Sequence, residues 1–134
     1  MQNLRSLLPA ALLALVALPG CKLQISIPQG GSVLSADGAY ACYSGQTCVI
    51  DVVDLFFDET FTAVPARGFY FGGWKKVDGG LCGGETTPCT LSTAAFEGVP
   101  ALQEILESDQ TFHLEPVFVW SFITTREIII SPDP

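Results

Sequence analysis

Positive charge is scarce in this 134-residue chain, which also contains a single histidine and a single methionine. Its six Lys and Arg side chains are outnumbered by 14 Asp and Glu, so the formal net charge is −8 at pH 7. Because binding to a phosphate backbone needs a basic face, we predict no nucleic-acid partner. The chain is nonetheless 49% apolar and 10% aromatic, which favours one folded domain over a disordered chain.

The N-terminus has the pattern of a secretory signal. Arg5 precedes Leu7 to Leu18, a run of twelve uncharged and mostly apolar residues. A helix that spans a bilayer needs roughly 20 such residues, so this run is too short. A cationic start, a short apolar stretch and small residues after it are typical of exported chains, although a buried core helix is the alternative. We predict that residues 1–20 form a signal peptide that is removed.

The segment after this run resembles the lipobox of bacterial lipoproteins, since it reads Leu18-Pro19-Gly20-Cys21. The resemblance implies that the Cys21 thiol carries a diacylglycerol and that cleavage occurs just before Cys21. The mature chain would then have 114 residues, with five basic and 14 acidic side chains and a formal charge of −9. Each buried CH₂ contributes about 0.8 kcal/mol, so two or three acyl chains hold a protein stably on a membrane. Lys22 stands where Asp tends to retain enteric lipoproteins in the inner membrane, which implies the outer membrane of a bacterial envelope.

The remaining cysteines predict disulfides. Cys42, Cys48, Cys82 and Cys89 allow three connectivities, and we predict the local pairs Cys42–Cys48 and Cys82–Cys89 because each closes a short loop of turn residues. Each bridge should contribute about 2 to 2.5 kcal/mol. A four-cysteine zinc site is the alternative, but zinc pairs are usually separated by two to four residues. An oxidising compartment also disfavours free thiolates, so no metal or cofactor is predicted.

The body of the chain predicts a β-rich α+β fold of short strands with one short helix. Strand-like segments cover 31–35, 39–43, 48–53, 59–64, 69–77 and 111–120, separated by turns such as Asp37-Gly38. Pro100 to Asp109 predicts the helix, since Leu102, Ile105 and Leu106 share one face. We assign 21–30 as a lipidated N-terminus and linker, 31–120 as the domain, and 121–134 as a β-prone extension.

Several of these elements together resemble a divergent internalin-B-type B-repeat, a module of bacterial surface proteins. The resemblance covers residues 31–118 and rests on Gly31-Ser32-Val33, Thr60 to Pro65, Phe71-Gly72-Gly73-Trp74, the two cysteine pairs and a closing strand. It implies a small β-grasp-like sheet with Phe71 and Trp74 in the core. It also implies a structural role in adhesion, spacing or protein contact, with no catalytic residues. Residues 92–108 interrupt the pattern, because the family runs almost directly into its closing strand.

Three sets of residues suggest chemistry, and each has a simpler interpretation. His113 is the histidine that a Ser-His-Asp or Cys-His site would need, but we predict it on the solvent side of a strand, opposite Phe112 and Leu114. Two groups of acids suggest a weak calcium site or paired carboxylates for glycoside chemistry, but we interpret both as solvated surface charge. These groups are Asp51, Asp54, Asp58 and Glu59, and Glu97, Glu104 and Glu107.

The aromatic segment Phe69 to Trp74 suggests a carbohydrate platform, with Tyr70 as its exposed member. The run Phe122 to Ile130 suggests a further hypothesis, in which it adds as a strand to its own sheet or to the edge of a partner's sheet.

From these observations we predict a lipid-anchored envelope protein with a noncatalytic interaction, adhesion or spacer role. Its partners would be the membrane and another envelope protein. A carbohydrate-binding module is the first alternative, and a small hydrolase is the second.

Overall fold

The computed structural model describes residues 20–121, and β-strands make up most of its regular structure. The β-rich α+β class with one short helix is therefore confirmed. The predicted signal peptide up to residue 19 and the β-prone run Phe122 to Ile130 lie outside the described residues. The elements are β1 (Cys21–Ser26), β2 (Gly31–Ser35), β3 (Ala41–Cys42), β4 (Thr47–Val52), β5 (Asp58–Pro65), β6 (Phe69–Trp74), β7 (Cys89–Ser92), a 3-10 helix (Ala94–Phe96), α1 (Pro100–Leu106), β8 (Thr111–Leu114) and β9 (Pro116–Trp120).

The predicted linker over 21–30 is wrong, because its first six residues form β1, the central strand of a three-stranded sheet. β1 pairs antiparallel with β4 from Cys21↔Val52 to Ser26↔Thr47. It pairs in parallel with β8 on its other side. Cys21, Leu23 and Ile25 are buried, whereas the intervening residues are partly exposed. This alternation is the signature of a strand with one face in the core, and the turn that Pro28 and Gly30 signal follows β1 at residues 29–30.

A second sheet has the strand order β3-β2-β5-β7, and its first hairpin turns at Asp37-Gly38 as predicted. Gly38 adopts a φ of +77°, which favours glycine. Asp37 Oδ1 accepts hydrogen bonds from the Ala39 amide and the Ser35 hydroxyl, each at 2.8 Å. The Ser35 hydroxyl in turn accepts one from the Tyr40 amide at 2.9 Å. Side chains therefore satisfy the backbone groups that this turn leaves unpaired.

The predicted strand 111–120 is divided in two at Glu115. β8 pairs with β1, whereas β9 pairs antiparallel with β6 in a separate two-stranded sheet. Pro116 begins β9, and proline has no amide hydrogen to continue a ladder. The register of the β6–β9 pair is irregular between Phe71 and Trp74, where Gly72 and Gly73 lie. The two glycines therefore accommodate a bulge before Trp74.

One hydrophobic core joins the sheets, and Trp74 is among its largest buried side chains. We call Phe71, Trp74 and Phe118 the Trp74 cluster. The Trp74 ring lies 5.1 Å from the Phe71 ring in an edge-on arrangement, and its Nε1 donates a 2.9 Å hydrogen bond to the Thr87 carbonyl. Trp74 is buried and Phe71 is partly buried against the same core, as the resemblance implies. The other large buried side chains are Leu23, Ile25, Ile27, Val33, Ile50, Val52, Phe61, Leu106 and Leu114.

The helical segment between β7 and β8 is short. α1 ends at Leu106, three residues before the predicted end at Asp109. Pro100 occupies the first turn, and the N-terminus has no side-chain cap. Acidic side chains at the C-terminal end of a helix oppose its dipole, and Glu107 and Asp109 would stand there if α1 continued. Leu106 is the buried residue of α1, so a small apolar contact holds this helix on the domain.

Candidate functional site

Cys21, the predicted lipid-attachment residue, is the first residue of β1 and is buried. Its side chain is 5% exposed, and Sγ lies 3.5 Å from the Val52 carbonyl oxygen. Burial raises the pKa of the Cys21 thiol, although a hydrogen bond from the residue's own backbone opposes that shift. The sulfur is therefore held as a neutral thiol on the inner face of the sheet.

The two predicted disulfides are both present. Cys42–Cys48 ties β3 of one sheet to β4 of the other, with a Cα–Cα separation of 6.1 Å. Cys82–Cys89 ties the segment after β6 to the start of β7, with a separation of 5.9 Å. Cys21 is the free cysteine that remains. The local pairing that loop length predicts is therefore confirmed for all four cysteines.

An apolar cavity of about 340 Å³ lies beside Cys21, and we call it the Cys21 cavity. Its walls come from β1, β4, β7, β8, the 3-10 helix and α1. The interrupting segment 92–108 supplies part of the wall through Phe96 and Ile105. The apolar lining residues are Cys21, Leu23, Val52, Phe57, Leu81, Leu91, Phe96, Ile105 and Phe112.

The four polar residues that line the Cys21 cavity all have partners within the protein. Lys22 Nζ forms a 2.8 Å salt bridge with Asp51. The Thr93 hydroxyl is 2.9 Å from the Asp54 carbonyl oxygen, and the Thr90 hydroxyl is 2.8 Å from that of Thr60. Ser92 Oγ accepts a hydrogen bond from the Ala94 amide. The cavity therefore presents an apolar surface with no unpaired polar side chain among its lining residues.

His113 lies in β8 opposite Gln24, away from this cavity. It is partly buried, and its backbone bonds to the segment 79–81, since its amide donates to the Gly79 carbonyl and its carbonyl accepts from the Leu81 amide. His113 lines neither the Cys21 cavity nor a smaller one of about 170 Å³ near the Cys42–Cys48 disulfide. Glu97, Glu104 and Glu107 are exposed and line neither cavity. The structure therefore does not join His113 to these acids in either cavity.

The acids between 51 and 59 do not act together. Asp51 pairs with Lys22, and Asp54 accepts a 2.9 Å hydrogen bond from the Phe56 amide. Glu59 differs from the predicted solvated charge, because it is only 9% exposed. Burial and the neighbouring Asp37 carboxylate raise the pKa of Glu59. Among residues 20–121, no group of three or more metal-ligating side chains converges on one point.

The exposed aromatic residues of the β6–β9 sheet lie on its two opposite faces. Tyr70 is 52% exposed and pairs with Val119, as predicted for an exposed Tyr70. Trp120 is 50% exposed and pairs with Phe69, whose ring it meets edge-on at 4.8 Å. Adjacent positions on a strand face opposite sides, so these two exposed rings do not form one flat platform.

A small apolar tip lies at the same end of the molecule as Cys21. It consists of Val53 and Phe56 in the connection between β4 and β5, and Phe56 is 90% exposed. A Cβ placed on Gly20 would lie 2.7 Å from Val53 Cγ1, so the chain just before Cys21 packs against this tip. The apolar tip, the start of β1 and the Cys21 cavity are therefore neighbours.

Comparison with protein-family models, with curated proteins and with solved structures returns no match for this chain. The resemblance to a lipobox and to a B-repeat therefore remains a prediction from residues. Within residues 20–121, no helix is long and apolar enough to cross a membrane. Sequence reasoning missed both β1 and the cavity beside it. The alternation of Leu23, Ile25 and Ile27 with polar residues is the signal that predicts β1.

Proposed function

We propose that this chain is a lipid-anchored, noncatalytic interaction module of the bacterial envelope. The distribution of the cysteines carries the proposal. Four of them form two disulfides, which persist in an oxidising compartment, and the remaining one is Cys21, at the end of the predicted lipobox. Export explains the disulfides, and lipid attachment explains why the fifth cysteine has no partner.

The position of Cys21 in the fold supports an anchor at this residue. β1 begins at Cys21, so cleavage before it would leave every described strand and helix intact. A lipid on Cys21 would also hold the apolar tip, Val53 and Phe56, at the bilayer surface. Apolar side chains are favourable in that interfacial layer. With β1 starting at the anchor, the domain would lie directly on the membrane with no spacer.

The side chains of the Cys21 cavity support a noncatalytic role. A nucleophile or general base needs a positioned titratable group within hydrogen-bond reach of a substrate. The ionisable side chains that line this cavity are Lys22, which is paired with Asp51, and Cys21, whose thiol burial keeps neutral. A cavity with this lining favours apolar contact over bond-breaking chemistry.

The intact mass of the non-reduced protein extracted from bacterial membranes tests the anchor. We expect the mass of residues 21–134 plus acyl chains, less the four hydrogens lost in two disulfides. The variant Cys21→Ala should lose the acyl mass and leave the membrane fraction. A non-lipidated chain that starts elsewhere, or a wild-type protein that behaves like Cys21→Ala, would reject the anchor. Four free thiols would reject the oxidising compartment.

The proposed partner is another envelope protein. The motivation is the β-prone run Phe122 to Ile130, which lies outside the described residues and follows β9 in the chain. In-cell crosslinking of the wild-type chain and of a chain without residues 121–134 tests this contact. We expect a defined crosslinked complex that disappears on deletion while both chains remain membrane-bound. Identical complexes from both chains would assign the contact elsewhere.

A further inference from the structure

The Cys21 cavity has the dimensions and lining of a site for an alkyl chain. Its volume of about 340 Å³ lies at the lower end of the range for ligand pockets, roughly 300 to 1,000 Å³. The polar side chains at its wall already have protein partners, so a polar ligand would find few groups to bind. An apolar chain would lose no hydrogen bond on entering and would fill space that the protein's own side chains leave empty.

Cys21 is itself part of the cavity wall, and this determines where a group on its sulfur can go. The side chain is buried on the inner face of β1, and Sγ is close to the Val52 carbonyl. A lipid on this sulfur has two routes. It extends into the cavity, or it points to solvent. The second route requires Cys21 to become exposed and to lose its pairing with Val52. The first route keeps the β1–β4 sheet intact.

We propose that the Cys21 cavity holds one acyl chain of the lipid that Cys21 carries. This inference rests on the proposed function, because it requires a lipid at Cys21. A chain tethered to the wall has a high effective concentration at the cavity, so it enters without the loss of freedom that a separate ligand would suffer. The other acyl chains stay in the bilayer, and more than one chain is needed for a stable anchor.

The charge at the cavity favours this tethered chain over a free fatty acid. A free fatty acid brings a carboxylate, which needs a cationic or hydrogen-bonding partner when it is taken from water. Lys22 is the cationic residue of the lining, and it already binds Asp51 at 2.8 Å. Asp109 adds further negative charge close to Lys22. An acyl chain linked through an uncharged glyceryl group needs no such partner.

Photocrosslinking from the lipid itself tests the proposal on the full chain. Bacteria that process lipoproteins would be grown with a palmitate analogue that carries a diazirine near its methyl end. After irradiation, the protein would be reduced and digested after Glu, and mass spectrometry would locate the crosslinks. We expect the lipid on Cys21 to be joined to peptides from the segment 86–107, namely 86–97, which contains Leu91 and Phe96, and 105–107, which contains Ile105 of the cavity wall.

Two variants of α1 serve as a matched pair. Ile105→Trp places a larger side chain into the cavity and should reduce the crosslink to 86–107 at least fivefold. Leu102→Trp changes the same helix at a partly buried position outside the lining and should keep the crosslink. Circular dichroism and the non-reduced mass would show that both variants are folded. Equal crosslinking in the two variants would overturn the proposal.

The outcomes separate this inference from the proposed function. A labelled lipid on Cys21 that crosslinks only to membrane lipids or other proteins overturns the cavity proposal and leaves the anchor in place. A Cys21 without any lipid overturns both. A wild-type crosslink to 86–107 that Ile105→Trp removes and Leu102→Trp retains supports both.

Discussion

Trp74 is buried beside aromatic side chains, whereas the region around Cys21 borders an open apolar cavity. The Phe71 ring meets the Trp74 ring edge-on, and the Cys82–Cys89 disulfide closes the loop whose Thr87 carbonyl accepts the indole hydrogen bond. Around Cys21, strands and two short helical segments border about 340 Å³. Burial of the indole and its partly buried hydrogen bond give one region stability, while the other keeps room for an apolar group. The same small domain thus separates the part that holds the fold from the part available for binding.

Replacement of the Trp74 indole should give the largest loss of stability. Trp74→Ala should lower the free energy of unfolding by about 3 to 5 kcal/mol, because it opens a void and leaves the Thr87 carbonyl without its donor. Urea unfolding under non-reducing conditions measures this loss. Tyr70→Ala, on the exposed face of the same strand, should change stability by less than about 1 kcal/mol. Similar losses in the two variants would mean that Trp74 is not a special packing centre.

Substitutions at two neighbouring residues of α1 should lower stability by different amounts, because one is packed in the core and the other borders the Cys21 cavity. Leu106→Ala removes a buried side chain and should lower stability by about 3 kcal/mol. Ile105→Ala should lose only about 1 kcal/mol, because part of that side chain already faces empty space. The same urea titration compares the two. Equal losses would indicate that the cavity is filled by protein in solution.

The two disulfides should contribute nearly equally to the free energy of unfolding. Cys82–Cys89 lies beside the Trp74 cluster, and Cys42–Cys48 joins two sheets. Removing either as a Cys→Ala pair should lower stability by about 2 to 2.5 kcal/mol, since the two closed loops are similar in length. Denaturant midpoints of Cys42→Ala/Cys48→Ala and Cys82→Ala/Cys89→Ala test this. A much larger loss of stability for Cys82→Ala/Cys89→Ala would show that the Cys82–Cys89 bridge also positions the Thr87 carbonyl.

The smallest effect should come from Glu59, which lies in β5 and pairs in register with Leu91 of the cavity wall. Its folded-state pKa is raised above its ordinary value near 4.5, chiefly by burial and then by Asp37. A raised carboxyl pKa favours the neutral form, so its stabilising contribution is present below the unfolded-state pKa and is lost as pH rises through the folded-state pKa. Glu59→Gln should therefore be more stable than wild type at pH 7, and this advantage should shrink on acidification towards pH 4.5.

Thermal unfolding from pH 4 to 8 measures this difference, with the exposed Glu97→Gln as control. Asp37 acts in the opposite direction, because hydrogen bonds from the Ala39 amide and the Ser35 hydroxyl lower its pKa and favour its charged form. That contribution is lost as pH falls. The part that comes from the Ala39 amide and the Ser35 hydroxyl is common to wild type and Glu59→Gln, whereas the part that comes from Glu59 changes in the variant. An advantage of Glu59→Gln that does not change with pH would contradict a raised Glu59 pKa.

Features that depend on neighbours in sequence were predictable from the chain alone. Asp37-Gly38 marks a turn, and short loops between cysteines favour local bridges. The strand at 21–26 was also encoded locally, but its alternation is short, and the proline and glycines after it suggested a linker. Glu59 was misjudged for a different reason, because burial of an acid depends on what packs over it.

The Cys21 cavity could not be predicted in the same way, because it forms from segments that are far apart in sequence. Cys21, Val52, Leu91 and Ile105 meet only after β1 is placed between β4 and β8. No periodicity in residues 92–108 shows that this interrupting segment would border empty space instead of filling it. An empty volume is set by the fit of distant side chains, and single-sequence patterns contain little information on such fit.

The placement of β1 has a mechanical consequence if Cys21 is the point of attachment. Tension on the anchor would pull β1 along its own axis, past β4 and β8, which flank it on both sides. The six residue pairs with β4 and the four with β8 would then bear the load in shear, together and not one after another. The far end of β4 is tied through Cys48 to β3, so force would pass from the membrane into the second sheet. A domain held in this way resists extraction by force even when its equilibrium stability is modest.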